Sequence, residues 1–311
     1  MNPIQPALMM LTVGLTFDFL FGEPPESLHP VVWIGRLIRG MERRARRSLD
    51  LKWIGLGFVF FIPLLFGSCG YFFYLIVHGF WPVGGWLVGG FLLKISLSPH
   101  ALFEESKQIA ATLEEKPEKA RQRLKNLVGR DRSDLSIGEM RSAIIESLFE
   151  NLVDSFLTPL FFYIIGLPVG PGVGLGLALV YKGVNTLDSM IGYRAGKLAE
   201  LGYFSAKADD ALNYVPARLS ALLISIVGLS NKGIKTALRF HRFPPSPNGG
   251  WPMSAAAGAL EVQLKKPGVY ALLPEQELPG KGSVTRALDL ARRVVFLAAA
   301  LAVLTTVVLG L

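Results

Sequence analysis

The sequence contains a single cysteine and four histidines, and several common catalytic motifs are absent from it. A lone cysteine, Cys69, excludes a disulfide framework or a cysteine-based metal site within one chain. The sequence also has no GxxxxGK[ST] phosphate loop, no GxSxG nucleophile elbow and no HExxH zinc motif. Any use of a nucleotide must therefore depend on another architecture.

Charge is missing from long stretches of the chain. No Asp, Glu, Lys or Arg occurs between residues 53 and 91, and residues 155–181 and 294–311 are uncharged as well. The first stretch is long enough for two spans of about 20 residues each, turning near His78 to Pro82, and each of the others can cross a bilayer once. With 51% hydrophobic residues and a mean hydropathy of +0.41, the sequence predicts an all-α, polytopic integral membrane protein with amphipathic cytoplasmic helices.

We predict six candidate spans within one membrane-embedded domain, residues 1–311. They cover residues 3–21, 53–77, 80–97, 155–181, 212–230 and 294–311. The fourth is expected to be broken or folded into a hairpin, because residues 166–176 are rich in glycine and proline. The fifth is the weakest, since Arg218 interrupts it.

The net charge of +8 comes from basic blocks beside the apolar runs. Residues 36–52 contain seven Lys or Arg and two acids, which is typical of a cytoplasmic membrane loop. No basic motif interleaved with aromatics is present, so nucleic acid is not an expected partner. We expect a helical soluble segment over 99–154, with a break at Pro117, a stop at Gly129 and a second helix from near Leu135. A loop-rich soluble segment is expected over 231–293.

Four carboxylates follow one another at helical spacing in the second helix. Glu139, Glu146, Glu150 and Asp154 are separated by seven, four and four residues, which places them on one side of a helix. Like charges at this spacing repel, and a divalent cation would relieve the repulsion; a plain solvated face is the equally weighted alternative. Mg²⁺ with phosphate oxygens suits such carboxylates, and the adjacent Asn151 could add an amide ligand or a substrate hydrogen bond.

The stretch "YKGVNTLDSMIGY", residues 181–193, begins where an apolar run ends. As a helix it would align Lys182, Asn185 and Ser189 on one face, with Asp188 close by. These groups offer a cation for phosphate, an amide and a carboxylate at the membrane rim. The alternative is an interface helix whose polar groups only cap a span, although a cap needs one or two such groups.

Three further stretches carry polar groups near membrane segments. "VGRDRSD" could place Arg130 for bidentate phosphate contact, or could be a turn with a local pair between Arg130 and Asp131. "DDALNYVPARL" brings an acid pair, Asn213 and Arg218 to the start of a weak span, where such groups need partners. "FDFLFGEPPESLHPVVWIG" adds Asp18, Glu23 and His29.

Six stretches occur in the order typical of one known family. They are "GEPPESLHPVVWIG", "VGRD", "ESLFENLVDSFLTPLFF", "YKGVNTLDSMIGY", "DDALNYVPARL" and "SPNGGWPMSAAAGAL". From about Asp18 to Tyr270 the sequence resembles the adenosylcobinamide-phosphate synthase (CobD/CbiB) family of cobalamin biosynthesis. It departs from the family pattern at Ser155 and Glu261, where glycine is common, and at Met253, where glutamate is frequent, which puts a catalytic role of that position in doubt.

The resemblance implies an enzyme of the cell membrane that joins adenosylcobyric acid to aminopropanol phosphate as an amide, with ATP as substrate and Mg²⁺ as cofactor. Its site is expected on the cytoplasmic face, and a homo-oligomer or an association with other enzymes of the pathway is possible. The catalytic candidates are Lys182, Asn185 and Asp188, and the metal candidates are Glu146, Glu150 and Asp154. The candidates for binding substrate or nucleotide are Arg130, Asp131, Asn151, Ser189, Asn213, Arg218 and Asn248.

Two other functions compete with this interpretation. A non-catalytic membrane sensor of the AmpE type would tolerate the loss of single motif residues. A membrane transporter would more naturally show broken helices in two corresponding halves, and the sequence has one span broken by Gly and Pro.

Overall fold

A computed structural model describes residues 4–46, 48, 50–127, 135–192 and 199–309. Within these ranges the chain forms fourteen α-helices and one two-stranded sheet. It divides into two compact units: unit 1 comprises Met1–Ser98, Thr158–Leu212 and Leu301–Leu311, and unit 2 comprises Pro99–Leu157 and Asn213–Ala300. The expected single domain over residues 1–311 stays a prediction.

Unit 1 is built from apolar helices that pack closely through small residues. Its helices are α1 (Ile4–Phe21), α2 (Pro30–Ala45), α3 (Leu51–Phe80), α4 (Pro82–Ser96), α8 (Thr158–Gly166), α9 (Pro171–Ile191) and α10 (Ala199–Leu212). Helix α3 packs against α4, α9 and α10, and α1 packs against α4. A Cβ atom on Gly67 of α3 would lie 2.8 Å from the carbonyl oxygen of Gly176 in α9. Glycine at this contact lets the two backbones approach, as in other membrane helix pairs.

The first two long apolar helices form the hairpin that the sequence predicts. Helix α3 ends at Phe80 and α4 begins at Pro82, directly after Trp81. Proline suits the first helical position because its missing N–H would have no partner there. The helices run antiparallel, since Gly85 lies against His78 and Gly89 lies against Tyr74.

The expected break in the fourth span is also confirmed. Helix α8 ends at Gly166, and α9 begins at Pro171 after Gly170, whose φ is +154°. The two helices pack against each other, and a Cβ on Gly166 would lie 2.5 Å from the backbone of Gly174. Residues 155–181 therefore fold back at 167–170 instead of forming one straight helix.

Unit 2 combines several helices with a small sheet. Its elements are α5 (Pro99–Glu115), α6 (Pro117–Leu127), α7 (Ile137–Leu152), α11 (Tyr214–Val227), α12 (Asn231–Phe240), α13 (Gly250–Leu260), β1 (Leu264–Lys266) and β2 (Tyr270–Leu272). The last helix, α14 (Ser283–Leu309), ends in unit 1. Ser136 and Glu139 form a capping box at the start of α7. The break at Pro117 and the helix starting near Leu135 are thus as predicted, whereas Gly129 lies outside the described residues.

Two expectations about the C-terminal third were wrong. Residues 231–293 contain α12, α13, the β1–β2 hairpin and the beginning of α14, so this segment is less rich in loops than expected. The alanine-rich run after Met253 favours helix, although turn residues directly precede it. Helix α14 starts eleven residues before Val294, because its first turns are amphipathic and carry Arg286, Arg292 and Arg293.

Helix α13 ends in an unusual conformation. Its C-cap, Glu261, has a φ of +56° and lies in the left-handed region. Glycine would adopt this conformation without a Cβ penalty. The Glu261 carboxylate pairs with Lys232 at 2.7 Å on an exposed surface.

Four helical segments within the described residues are long and apolar enough to cross a membrane. They are Leu51–Phe80, Pro82–Glu115, Ile137–Gly166 and Ser283–Leu309; α10 and α11 together would make a fifth, and Gln5–Phe21 is shorter. The fold is therefore that of a polytopic, helical membrane protein, as the sequence predicts.

Candidate functional site

The four carboxylates of the acidic line, Glu139, Glu146, Glu150 and Asp154, have different surroundings. Glu139 accepts hydrogen bonds from Ser136 at the helix start and lies 3.3 Å from the Lys265 ammonium. Glu146, two turns before the end of the line, is buried. Its Oε1 accepts from Ser142 Oγ at 2.6 Å and its Oε2 accepts from Tyr270 OH at 2.6 Å. The Tyr270 hydroxyl connects α7 to β2, and Ser142 Oγ connects α7 to β1 by accepting from the Lys265 N–H at 2.7 Å.

Glu150 and Asp154 lie at the end of α7 and are only partly buried. Asp154 belongs to a π-helical turn, Val153–Leu157, and such turns recur at functional sites. Glu150 lies against the "NGG" turn of unit 2, because a Cβ on Gly249 would be 2.6 Å from Glu150 Oε1. Only glycine leaves room for the carboxylate at this position.

The predicted amide next to Glu150 is engaged within the helix. Asn151 donates from Nδ2 to the Ser147 carbonyl at 2.9 Å and to Ser147 Oγ at 2.8 Å. Within the described residues, no group of three or more His, Cys, Asp or Glu side chains is arranged to hold a metal ion. A metal at Glu150 would thus take most of its ligands from water or substrate, which is how Mg²⁺ is usually held in nucleotide sites.

Arg218 brings two motifs of unit 2 together. Its guanidinium carbon lies 3.4 Å from the centre of the Tyr214 ring and 5.0 Å from that of Trp251. Its Nη1 donates to the Tyr214 carbonyl and lies 3.4 Å from Asn248 Oδ1. Nε and Nη2 make no hydrogen bond to any part of the chain that the structure describes, which leaves donors in the planar arrangement that suits phosphate.

Asn248 and Asn213 are the other predicted binding residues of unit 2. Both side chains are buried. Asn248 stands directly before Gly249, so Glu150, Asn248 and Arg218 meet around one turn. Asn213 precedes α11 and its carbonyl accepts from the Ala217 N–H at 3.0 Å.

In unit 1 the polar stretch of α9 is helical, as predicted. Lys182 and Asn185 are partly buried, and Ser189 is exposed at the end of the same face. Asn185 Nδ2 lies 3.4 Å from Asp209 Oδ1 in α10, a contact between two motifs that the sequence placed separately. The structure adds Asp209 to the predicted residues of this face.

Asp188 lies close to the C-terminus of α9. A Cβ on Gly192 would be 1.9 Å from Asp188 Oδ1, so glycine is required where the carboxylate folds back over the helix end. Ser189 donates to the Asn185 carbonyl at 2.8 Å. Arg130 and Asp131 lie outside the described residues, and their predicted roles stay predictions.

A second charged group of unit 1 joins Asp18, Glu23 and His29, which the sequence singled out, to Lys94, which it did not. Lys94 is 1% exposed in α4; its ammonium lies 2.7 Å from Glu23 Oε2 and 3.7 Å from Asp18 Oδ1. His29 Nε2 bonds the same Glu23 oxygen at 2.9 Å. Burial raises the pKa of Glu23, but the hydrogen bonds from His29 and Lys94 outweigh it and hold the pKa below its ordinary value. The sequence signal for this group is Lys94, an ionisable residue inside an apolar run.

The fold and these groups define a class: a polytopic helical membrane protein with one polar face on α9, a charged group at α4, and an arginine, amide and carboxylate around one turn of unit 2. The profile of the family described as CobD/Cbib protein matches residues 11–297. The chain belongs to this family.

Proteins similar to this chain occur in archaea and bacteria. The probable cobalamin biosynthesis protein CobD of Methanothrix thermoacetophila is 37% identical over 96% of this chain and 97% of its own length. The probable cobalamin biosynthesis protein CobD of Methanothermobacter thermautotrophicus is 38% identical over 85% of this chain and 86% of its own length. The cobalamin biosynthesis protein CobD of Klebsiella pneumoniae is 35% identical over 85% of this chain and 83% of its own length. No solved structure matches the chain.

Proposed function

We propose that this protein acts in cobalamin biosynthesis as an ATP- and Mg²⁺-dependent ligase that joins adenosylcobyric acid to aminopropanol phosphate. In this reaction a propionate carboxyl and an amine form an amide, and cleavage of an ATP phosphoanhydride bond takes up the elements of water. Family membership and the relatives' names support the pathway. The chemistry is supported by the residues below.

The observation that carries the proposal is the meeting of three motifs around the Asn248–Gly249 turn. Arg218 has unused guanidinium donors there, Asn248 adds an amide, and Glu150 adds a carboxylate against Gly249. A guanidinium and a carboxylate side by side suit a phosphate and its counter-cation. We assign nucleotide phosphate to Arg218 and Asn248, and the metal to Glu150 and Asp154.

The residues fit Mg²⁺ in chemistry, since Glu150 is a partly exposed oxygen donor beside a turn that only glycine can form. When bound, the ion would neutralise phosphate charge. Glu146 has both oxygens bonded to hydroxyls, so in this proposal it supports the α7–β2 contact. Asn151 holds the end of α7 through Ser147, and Asn213 holds the start of α11.

The α9 face of unit 1 receives its own assignments, taken by itself. Lys182 would stabilise charge on the transferring phosphoryl group, and Asn185 would orient substrate with Asp209. Asp188 would support a metal ion or orient the attacking amine, and Ser189 would contact substrate at the exposed end. A site on the cytoplasmic face of the cell membrane is part of the proposal, because ATP is cytoplasmic.

The direct test is ligation by the purified protein. Adenosylcobyric acid, aminopropanol phosphate and Mg-ATP are incubated with the protein in detergent, and the amide is detected by mass spectrometry. We expect a product that requires ATP and Mg²⁺. A folded protein that forms no amide with all components present would overturn the proposal and favour a sensor or transporter.

A Mg²⁺ titration tests the metal assignment separately. Glu150→Gln should raise the Mg²⁺ concentration needed for half-maximal turnover by about tenfold or more, because a charged ligand is replaced by an amide of similar volume. Glu118→Gln, a change at an exposed acid of α6, serves as the matched control and should titrate like the wild type. An unchanged titration in Glu150→Gln would remove this residue from the metal site.

A further inference from the structure

An apolar cavity of about 650 Å³ lies within unit 1, and the proposed function assigns nothing to it. We call it the Trp33 cavity. Its wall comes from α1, the start of α2, α3 and α4, and none of the residues that line it is charged. The volume falls within the range of ligand cavities in proteins, roughly 300–1,000 Å³.

The wall of the Trp33 cavity suits hydrocarbon. Phe66 and Phe73 contribute aromatic rings to it, and the one polar atom of the Trp33 ring, Nε1, already donates to the Ser27 carbonyl at 2.9 Å. A buried water molecule needs two to four polar partners, whereas cavities with apolar walls stay dry and bind apolar molecules. The part of a ligand that enters this cavity is therefore apolar.

The cavity opens on the surface of the chain. Trp33, Phe73 and Leu87 line it and are 50%, 51% and 43% exposed. Helices α3 and α4 belong to segments that are long and apolar enough to cross a membrane. Lipid hydrocarbon can therefore enter the cavity from the side without passing through water.

A track along α2 leads from the cavity to a basic residue. Trp33, Leu37, Gly40 and Arg44 follow one another at intervals of four, three and four residues, so they lie on one side of the helix. Leu37 is exposed, and a Cβ on Gly40 would meet no other described part of the chain within 4 Å. The track is thus apolar and unobstructed as far as Arg44.

Arg44 is available to a ligand at the end of this track. It is exposed and makes no ion pair or hydrogen bond with any residue that the structure describes. The same holds for Arg36, Arg39 and Arg43 of the same helix. Guanidinium groups suit phosphate. Residues 36–52 are predicted to be cytoplasmic, and the cytoplasmic leaflet carries anionic lipids that attract such basic segments.

The length of the track matches one lipid chain. Arg44 follows Trp33 by eleven residues, which corresponds to about 16 Å along the helix at about 1.5 Å per residue. One leaflet provides about 15 Å, half of the hydrocarbon thickness of a bilayer. A lipid whose headgroup lies at Arg44 can therefore place the end of an acyl chain in the Trp33 cavity.

We propose that unit 1 binds one anionic phospholipid, with its phosphate at Arg44 and one acyl chain along Leu37 and Gly40 into the Trp33 cavity. All phospholipids carry a phosphate, but a zwitterionic headgroup also carries an ammonium group. The unpaired arginines of α2 repel that ammonium group, whereas they attract a headgroup with a net negative charge. The site is therefore selective for anionic lipid.

The single cysteine of the chain provides the measurement, because Cys69 lines the cavity. The full chain in detergent is titrated with dioleoyl phosphatidylglycerol or dioleoyl phosphatidylcholine, and alkylation of Cys69 by N-ethylmaleimide is followed by mass spectrometry. The two lipids have the same acyl chains and differ in headgroup charge. We expect phosphatidylglycerol to halve the alkylation rate at a concentration lower by about fivefold or more, the effect of one basic residue near an anionic group.

A pair of arginine variants locates the headgroup. Arg44→Gln should bring the protection by phosphatidylglycerol down to that by phosphatidylcholine. Arg39→Gln is the matched control, since it removes the same charge from another exposed arginine of α2, five residues away on a different side of the helix. It should retain most of the preference for the anionic lipid.

A second pair of variants tests the cavity by another measurement. Leu87→Trp places a larger side chain in the cavity wall at a partly exposed position, where the fold is kept. Native mass spectrometry should show that it no longer retains phosphatidylglycerol after release from the micelle. Leu64→Trp, at an exposed position of α3 outside the cavity wall, should retain the lipid like the wild type.

The outcomes decide the proposal without ATP, corrinoid or amine, so they do not depend on ligase activity. A preference for phosphatidylglycerol that is lost in Arg44→Gln and kept in Arg39→Gln, with loss of retention in Leu87→Trp, supports the site. Equal protection of Cys69 by both lipids would overturn it, and so would a preference that Arg44→Gln leaves unchanged. Protection that rises with protein concentration at constant lipid would identify a second copy of the chain as the occupant and would also overturn it.

Discussion

Lys94 in unit 1 and Glu146 in unit 2 are both almost fully buried, but they are stabilised by different partners. Lys94 faces two carboxylates, Asp18 and Glu23. Glu146 accepts from two neutral hydroxyls, those of Ser142 and Tyr270. Lys94 lies in an apolar helix of unit 1, whereas Glu146 lies beside a small sheet whose backbone and side chains provide further polar groups.

The Lys94 and Glu146 groups should respond differently to the removal of one partner. A charge matched by opposite charges leaves two uncompensated ions behind when it is removed, and that is costly in an apolar environment. A carboxylate bonded to hydroxyls loses one hydrogen bond at a time. Damage to the Lys94 group should therefore be severe, and damage to the Glu146 group should be graded.

The largest effect is expected for Lys94→Met. The variant removes the ammonium that Lys94 places between Asp18 and Glu23, which should cost about 3–5 kcal/mol of unfolding free energy, measured by thermal unfolding in detergent. Lys107→Met removes an exposed pair with Glu104 and should cost less than about 1 kcal/mol.

A triple variant sharpens this result. Asp18→Asn and Glu23→Gln combined with Lys94→Met would replace all three ions by neutral groups and should recover much of the lost stability. Unfolding of Lys94→Met at the wild-type temperature would show that the three side chains do not form an energetic unit.

Lys182→Met tests the partly buried lysine of unit 1 that has a proposed role in catalysis. The change keeps the chain length and the apolar stem, so turnover should fall by about a hundredfold, the effect of removing one electrostatic stabiliser. Amide formation is followed by mass spectrometry, and corrinoid binding should change little. Lys207→Met, at an exposed position of α10, is the control. Normal ligation by Lys182→Met would leave this lysine as an interfacial anchor.

Tyr270→Phe tests the graded behaviour of the Glu146 group. It removes one hydroxyl donor to a buried carboxylate and should cost about 1.5–3 kcal/mol, seen as a lower unfolding temperature. Tyr203→Phe removes a hydroxyl that makes no hydrogen bond within the described residues, and it should be close to neutral. A loss as large as that of Lys94→Met would abolish the distinction between the two groups.

The smallest effect is a pH dependence of stability that comes from Glu23 in the Lys94 group. Because the pKa of folded Glu23 lies below its ordinary value of 4.5, its contribution to stability is complete above that value. It is lost as the pH falls through the lower folded pKa. Unfolding temperatures measured from about pH 6 to pH 3 should fall more steeply for the wild type than for Glu23→Gln. Parallel curves would contradict the assignment.

Local pattern was sufficient for much of the fold. Uncharged stretches predicted the α3–α4 hairpin, and glycine and proline predicted the turn between α8 and α9. Helical spacing predicted the polar face of α9. The contacts that were missed join distant residues: Glu23 and Lys94 are 71 positions apart, and Glu146 and Tyr270 are 124 apart. Each residue alone looks like an interface charge or a core aromatic, because tertiary packing decides which partner it meets.

The left-handed end of α13 has a genetic consequence. A side chain in this conformation costs about 1–2 kcal/mol, and the exposed pair of Glu261 with Lys232 returns at most about 1 kcal/mol. Glutamate and glycine codons can differ by a single base, so one transition at this codon would remove the Cβ strain. A library of random point mutants selected for heat resistance should therefore contain Glu261→Gly early, although this residue belongs to neither the Lys94 nor the Glu146 group.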